Sequence, residues 1–166
     1  MPEPAPSRPH MPGYGIVGPD EGTGLLPWSW AEEHLVASHD YWLATVLPDG
    51  GPHVMPVWGV WHGRSAWFSA SDQSRKTRNL RENPRAVITT DNPLQPVVVE
   101  GKVERITDAT LVEAFTTQVN VKYATDYPTS FFADNALFRL SPRWVFSLDE
   151  ADFTGSPTRW TFAPGG

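Results

Sequence analysis

Three strand-like segments follow one another closely between residues 41 and 71, and this arrangement restricts the possible fold more than any other feature. Turn sequences at 48–51 (Pro-Asp-Gly-Gly) and 62–63 (His-Gly) separate them. Both connections have the length of hairpin turns, which join antiparallel neighbours. The pattern therefore predicts a three-stranded meander with strands over 41–47, 52–61 and 64–71.

Five more segments have the composition or alternation of strands, and they lie at 85–90, 97–106, 136–140, 143–148 and 158–162. The second of these is long enough to bend at Gly101. About seven or eight strands in a chain of 166 residues predict a mainly β fold. We expect an antiparallel barrel with peripheral helices.

Three helices are predicted, over 29–38, 74–83 and 108–124. Ser29 can cap the first helix while Glu32 reaches back, as in a capping box. An Asn-Pro pair ends the second, and Thr107 is the expected cap of the third. Together with the strands, these helices place all regular structure in a single domain over 29–166.

Residues 1–28 differ from the rest of the chain in composition. They contain seven of the seventeen prolines and five of the thirteen glycines, so they have little periodic apolar surface to bury. We interpret them as an extended N-terminal arm. The sequence leaves open whether this arm is disordered or lies across a neighbouring subunit.

The charge and composition exclude several classes of protein. A net charge of -6 argues against a general nucleic-acid binder, which needs a broad basic surface. The absence of cysteine excludes disulfides, thiolate metal sites and thiol nucleophiles. Neither a signal peptide nor an apolar spanning stretch is apparent, so we expect a cytoplasmic protein without membrane association.

Hydroxyl and cationic side chains are concentrated where the third meander strand gives way to the second helix, over 69–80. Free N–H groups at a helix start, the positive end of its dipole and nearby cations favour a phosphate. The segment thus predicts an anion site. A solvated basic helix face is the alternative.

Pro56 lies in the middle of an otherwise good strand, where it cannot donate a ladder hydrogen bond. A flat heterocycle with its own hydrogen-bonding edge could take up free backbone groups there, while its phosphate reaches the basic helix. An ordinary edge strand or bulge is the alternative. Eight tryptophans are also present, and we interpret those of the meander as core or subunit contacts rather than ligand-stacking residues.

The sequence contains no recognisable catalytic or metal-binding constellation. It has neither a Ser-His-Asp spacing nor a His-x-x-x-His pair, so we expect no metal. Tyr123, Tyr127 and His53 could protonate a substrate if they line a pocket. No catalytic residue is assigned.

Four segments in order resemble the flavin-reductase-like split barrels related to pyridoxamine 5'-phosphate oxidase. They are Tyr-Trp-Leu-Ala-Thr-Val at 41–46, the strand at 52–58, the Ser-rich turn leading to Lys-Thr-Arg-Asn-Leu and Asn-Pro-Arg-Ala-Val at 76–87, and Thr-Arg-Trp-Thr-Phe at 158–162. The resemblance covers about 30–162. It implies a homodimeric split β-barrel of the FMN-binding type, with two cofactor sites at the subunit interface, each built from both chains.

The resemblance also implies which residues bind the cofactor. The strand that flanks the ring system corresponds to Val54, Met55, Pro56, Val57 and Trp58. The phosphate and ribityl neighbourhood corresponds to Ser69, Ser71, Ser74, Arg75, Lys76 and Asn79. Arg159 and Trp160 resemble the contribution of the second chain.

Vitamin B6 oxidation is not the expected activity, because the Arg-rich substrate signatures are missing and Arg-Leu-Ser-Pro at 139–142 lies well before the end of the chain. The Lys-x-x-Asn-Leu turn and Thr-Arg-Trp-x-Phe segment resemble the deazaflavin branch more closely. The resemblance implies an oxidoreductase that uses coenzyme F420 or FMN for hydride transfer to or from a small organic substrate. An FMN-binding protein of the oxidase type and a non-catalytic flavin or haem carrier are the alternatives.

Overall fold

The computed structural model describes residues 3–163. The strands are β1 (Ala5–Ser7), β2 (Asp40–Val46), β3 (Pro52–His62), β4 (Ser65–Ala70), β5 (Arg85–Thr90), β6 (Val97–Ile106), β7 (Ala136–Ser147) and β8 (Thr158–Thr161). The helices are α1 (Trp28–Ala37), α2 (Arg75–Glu82), α3 (Ala109–Tyr123) and α4 (Thr129–Ala133), with a 3-10 turn at Glu150–Asp152. The fold is thus mainly β, as the sequence predicts.

Six strands form a closed antiparallel barrel in the order β7-β4-β3-β2-β5-β6, and pairing of β6 with β7 closes it. The meander β2-β3-β4 is confirmed. Outside the barrel, β8 pairs with β7 and β1 pairs with β8. This arrangement is the expected split barrel.

The strand pair that closes the barrel, β6 and β7, contains a β-bulge. One sequence prediction was wrong at this position. The expected strands 136–140 and 143–148 are one strand, β7, which continues through Pro142. Pro142 lies opposite Gly101, where the register of β6 and β7 shifts. Because a bulge tolerates a residue without an N–H group, the proline bends this strand instead of ending it.

The helix starts also differ from prediction. Pro27 precedes α1 and no side chain caps it, so the capping box of Ser29 is wrong. Instead Glu32 accepts a hydrogen bond from Trp61 Nε1 at 3.3 Å. Asp108, rather than Thr107, caps α3 by accepting from the N–H of Leu111 at 3.0 Å.

The described part of the N-terminal arm packs on its own chain. β1 pairs with β8, and Arg8 donates to the carbonyl oxygens of Gly155 at 2.7 Å and Pro157 at 2.8 Å. Its guanidinium also bonds Gly18 and Glu21 within the arm. The sequence did not indicate this attachment. Among the described residues, no helix is long and apolar enough to cross a membrane.

Two apolar clusters organise the molecule. The larger fills the barrel and includes the fully buried Trp160, Tyr41 and Phe68. The smaller packs α3 and α4 against the outer face of β3 and β4, through residues such as Phe115 and Phe132. This second cluster holds the two helices beside the line where β3 and β4 meet.

Candidate functional site

β3 and β4 separate along part of their length, which opens a wedge in the barrel wall. They pair only from Gly59 to His62 on β3, whereas residues 52–58 of β3 pair with β2 alone among the described strands. A cleft of about 420 Å³ lies at the wedge. Its lining residues are Trp58, Ser69, Ala70, Ser71, Phe115, Val119, Tyr127, Phe131, Phe132 and Asn135.

The backbone polar groups of β3 point alternately toward the β2 side and toward the wedge. Gly59 N–H donates to Tyr123 Oη at 2.9 Å, and the Gly59 carbonyl accepts from Lys122 Nζ at 2.8 Å. Tyr123 in turn donates to the His39 carbonyl at 2.6 Å, so these groups lie on the β2 side. Because backbone direction alternates along a strand, the polar groups of residues 54, 56 and 58 face the open edge.

This alternation explains Pro56. Its missing N–H group lies on the unpaired edge, so the proline removes no bond from the ladder with β2. Val54 and Trp58 leave N–H groups on that edge, and the carbonyl of Pro56 lies between them. The open edge that Pro56 indicated is present in the structure.

The first turn of α2, which follows the cleft-lining Ser71 in the chain, carries several cationic side chains. Ser74 caps α2 by accepting from the N–H of Thr77 at 3.3 Å. Arg75 and Arg78 are exposed and Lys76 is half-buried, and within residues 3–163 none of the three pairs with a carboxylate. Asp72 instead pairs with Arg81 at 3.2 Å and Arg105 at 2.9 Å. The charge of the three unpaired cations is therefore available to an anion.

Three of the residues predicted to bind the cofactor line the cleft, namely Trp58, Ser69 and Ser71, and the others have different surroundings. Ser69 and Ser71 line the cleft, and Ser74 to Lys76 follow directly. Val57 is buried, whereas Val54, Met55, Pro56 and Trp58 are exposed. Asn79 is buried and donates to Thr45 Oγ1 at 3.0 Å, so its side chain supports β2 rather than facing the cleft.

The two residues expected from a second chain have contrasting positions. Arg159 is exposed on β8. Trp160 is completely buried in the barrel core, where its ring packs edge-on against Trp28 with centroids 5.7 Å apart. A cofactor contact through the Trp160 side chain would require that core to open.

Sequence reasoning did not find the outer side of the cleft. This side consists of aromatic side chains from α3, α4 and the segment between them, and Tyr127 was considered only as a proton donor. α4 has five residues, too few to show a helical apolar period. The available signal was the local aromatic density, with Tyr127, Phe131 and Phe132 within six positions.

The half-buried Tyr123 supports the inner side of the cleft. Tyr123 stacks on Trp58 with centroids 4.1 Å apart and planes 3° from parallel. Burial raises the pKa of Tyr123 to about 12 and lowers the pKa of Lys122 to about 8. The Lys122 ammonium lies 4.5 Å from the centre of the Tyr41 ring, a cation–π distance.

We expect the free energy of unfolding to rise between pH 8 and 10.5 because of Lys122. In that window the unfolded lysine binds more protons than the folded one, so stability increases with pH. Tyr123 and the buried Tyr41 act oppositely above pH 10, because burial raises the pKa of both groups and the folded state holds their protons longer. Chemical denaturation across this range measures both effects.

Two variants separate these contributions. Lys122→Met should abolish the rise in the free energy of unfolding between pH 8 and 10.5. The lost hydrogen bonds lower this free energy by the same amount at every pH, so they do not affect the comparison. Tyr123→Phe should reduce the decrease in the free energy of unfolding above pH 10. A Lys122→Met profile parallel to that of the wild type would contradict the assignment.

Comparisons with known proteins agree with the split barrel. The family model described as pyridoxamine 5'-phosphate oxidase matches residues 31–149. A solved structure named F420 reductase is 30% identical, covers 69% of this chain and 94% of its own, and superposes with a TM-score of 0.58. No curated protein matches the sequence.

Two more distant structures share the fold. A conserved hypothetical protein from Mycobacterium tuberculosis is 21% identical, with a TM-score of 0.70 and coverage of 92% of this chain and 95% of its own. A haem-binding protein from Mycobacterium smegmatis is 23% identical, with a TM-score of 0.56 and coverage of 79% and 62%. Since the family model spans most of the barrel, from α1 to the end of β7, this chain belongs to the pyridoxamine 5'-phosphate oxidase family.

Proposed function

We propose that this protein is an oxidoreductase that binds coenzyme F420 or FMN at the wedge and uses it for hydride transfer to or from a small organic substrate. One observation carries the proposal: Trp58 of the open β3 edge lines a single cleft together with Ser69 and Ser71, and α2 with its unpaired cations begins four residues after Ser71. The 30% identity to a structure named F420 reductase supports the deazaflavin over FMN.

The residues of the wedge fit both parts of such a cofactor. The donors of Val54 and Trp58 and the acceptor of Pro56 can bond the polar edge of a planar ring system. The hydroxyls of Ser71 and Ser74 and the cations of Arg75 and Lys76 can hold its phosphate. The groups proposed to hold the ring therefore lie on β3, and those proposed to hold the phosphate lie on the turn from β4 to α2.

A bound flavin or deazaflavin supplies the hydride chemistry, and the protein supplies binding, orientation and a dry environment. The exposed ring of Trp58, held by its stack on Tyr123, forms one side of the cleft. The apolar side chains of α3 and α4 exclude water from the other side. This division of roles needs no dedicated protein acid or base.

We further propose a homodimer in which the second subunit covers the open edge. Trp42, Val54, Met55 and Trp58 are all more than 40% exposed on β2 and β3, and exposed apolar side chains of this size favour an interface. Arg159 is the proposed contribution of the second subunit. The buried position of Trp160 makes it the weaker of the two predictions.

Titration of dialysed protein with F420 and separately with FMN, followed by ligand fluorescence, tests the proposal. We expect saturable micromolar binding, tighter for F420. Selective binding of FMN would place the protein in the flavin branch and keep the oxidoreductase assignment. Binding of neither cofactor would contradict the proposed function.

A haem carrier is a second candidate, because one similar structure is named a haem-binding protein. Among the described residues that line the cleft, none is His, Cys or Met, the side chains that most often ligate haem iron. Haem titration followed by absorption spectroscopy separates the candidates. We expect no spectrum of an axially ligated haem.

A further inference from the structure

Four aromatic rings form the outer side of the cleft, and we call Phe115, Tyr127, Phe131 and Phe132 the aromatic wall. Phe131 stacks on Tyr127 with centroids 4.6 Å apart and planes 23° from parallel. Phe132 meets Phe131 edge-on at 5.1 Å and Phe115 at 5.2 Å. Each ring therefore fixes its neighbour, so the wall has a defined shape.

Two asparagines hold the wall at its ends. Asn120 Nδ2 donates to the Tyr127 carbonyl at 2.9 Å, and Asn120 Oδ1 accepts from the N–H of Tyr127 at 3.0 Å. At the other end, Asn135 Nδ2 donates to the Phe131 carbonyl at 2.7 Å. The backbone that carries the two outer rings is thus tied down without a ligand, which reduces the entropy lost on binding.

The two inner rings are buried, but the outer pair is accessible. Phe115 and Phe132 are 3% and 5% exposed, whereas Tyr127 is 37% and Phe131 45% exposed. The outer rings lie at the cleft, because both are among its lining residues. Their accessible faces offer planar apolar surface to a molecule in the cleft.

The electrostatic character of the cleft is uneven. Among the described residues that line it, none is Asp, Glu, Lys or Arg, and its polar side chains are Ser69, Ser71, Tyr127 and Asn135. The unpaired cations lie past Ser71, at the start of α2. An anionic group placed against the aromatic wall would lose its hydration without gaining an ionic partner, which is strongly unfavourable.

We infer that the aromatic wall selects the substrate, and that the substrate is a planar, conjugated molecule without negative charge, stacked on Phe131 and Tyr127. This inference rests on the proposed function, because it assigns the cationic end of the cleft to the cofactor and the aromatic end to its reaction partner. Phe131 is the specificity-determining residue, since it is the more exposed ring of the outer pair.

Equilibrium dialysis with two probes of matched shape tests the inference. 1,4-Naphthoquinone is neutral, whereas its 2-hydroxy derivative is an anion at neutral pH. The protein has no cysteine to react with either. Binding is measured with protein alone and with protein saturated with FMN or F420. With the cofactor bound at the cationic end, we expect the neutral probe to bind at least about tenfold more tightly, since an unpaired buried charge costs at least this much.

Substitution of Phe131 shows whether the preference comes from the wall. Phe131→Ala should weaken binding of the neutral probe about five- to tenfold, and Phe131→Tyr should retain it. Phe153→Ala is the matched control, because Phe153 is also partly exposed, at 37%, and packs on Tyr14 outside the cleft. This control should bind the neutral probe like the wild type.

The outcomes distinguish this inference from the proposed function. Equal or tighter binding of the anion to cofactor-saturated protein would overturn the inference. Equal affinities of the Phe131→Ala and Phe153→Ala variants for the neutral probe would also overturn it, even if a cofactor binds. A preserved preference in protein that binds neither FMN nor F420 would support the wall as a site for neutral planar molecules. The proposed oxidoreductase function alone would then fail.

Discussion

Replacing Gly101 by Ala is expected to lower the free energy of unfolding by about 3 kcal/mol or more. A Cβ atom at this position would lie 2.1 Å from the carbonyl oxygen of Ser141 and 2.9 Å from its carbonyl carbon. Both atoms belong to the backbone of β7, so no side-chain rotation relieves the clash. The strands that close the barrel must move apart, and the cost exceeds the usual range of about 1–3 kcal/mol for overpacking.

Chemical denaturation of the Gly101→Ala variant measures this effect, with Gly50→Ala as control. At Gly50 nothing lies within 4 Å of the added atom, although φ is +87°. The control therefore carries backbone strain without a clash, and we expect it to lose only about 1 kcal/mol. Equal losses in the two variants would show that the β6–β7 contact is more adaptable than its geometry indicates.

Replacing Lys76 by Ala is expected to weaken cofactor binding by about 1.5–3 kcal/mol, or roughly 10- to 150-fold. Lys76 lies in the first turn of α2, next to the cap residue Ser74. Its cation has no carboxylate partner within residues 3–163, so the substitution should remove a contact with the phosphate and break no internal ion pair. Ligand fluorescence titration measures the dissociation constant.

Lys102→Ala provides the comparison for net charge. Lys102 is exposed on β6, where it pairs in register with Arg85 and Ser141. Both variants remove one positive charge, so a general electrostatic effect would weaken binding equally. An affinity of the Lys76→Ala variant that matches the control would refute the phosphate assignment at α2.

The meander and the open edge could be predicted because their signals are local. The hairpin turns depend on a few adjacent residues, and Pro56 restricts its own strand by lacking an N–H group. The same holds for the cap of α2, where Ser74 acts within one helical turn. The strand-to-helix turn of the candidate site could therefore be located from the sequence.

The features that the sequence did not reveal depend on distant parts of the chain. β7 continues through Pro142 only because Gly101 faces it across the bulge. Asn79 is a residue type that often binds ligands, but its side chain donates to Thr45 on β2. The aromatic wall is assembled from α3, α4 and the segment between them, and the side chains of Asn120 and Asn135 hold its backbone.

The strand that closes the barrel, β7, is made late in synthesis. β4 and β6 find their common neighbour only when β7, at 136–147, has left the ribosome. Until then the edges of β4 and β6 that pair with β7 are both open. Contacts of such long sequence separation slow folding, and exposed edges favour association between chains. Ribosome-bound chains that lack β7 should therefore depend more on chaperones than chains that contain it.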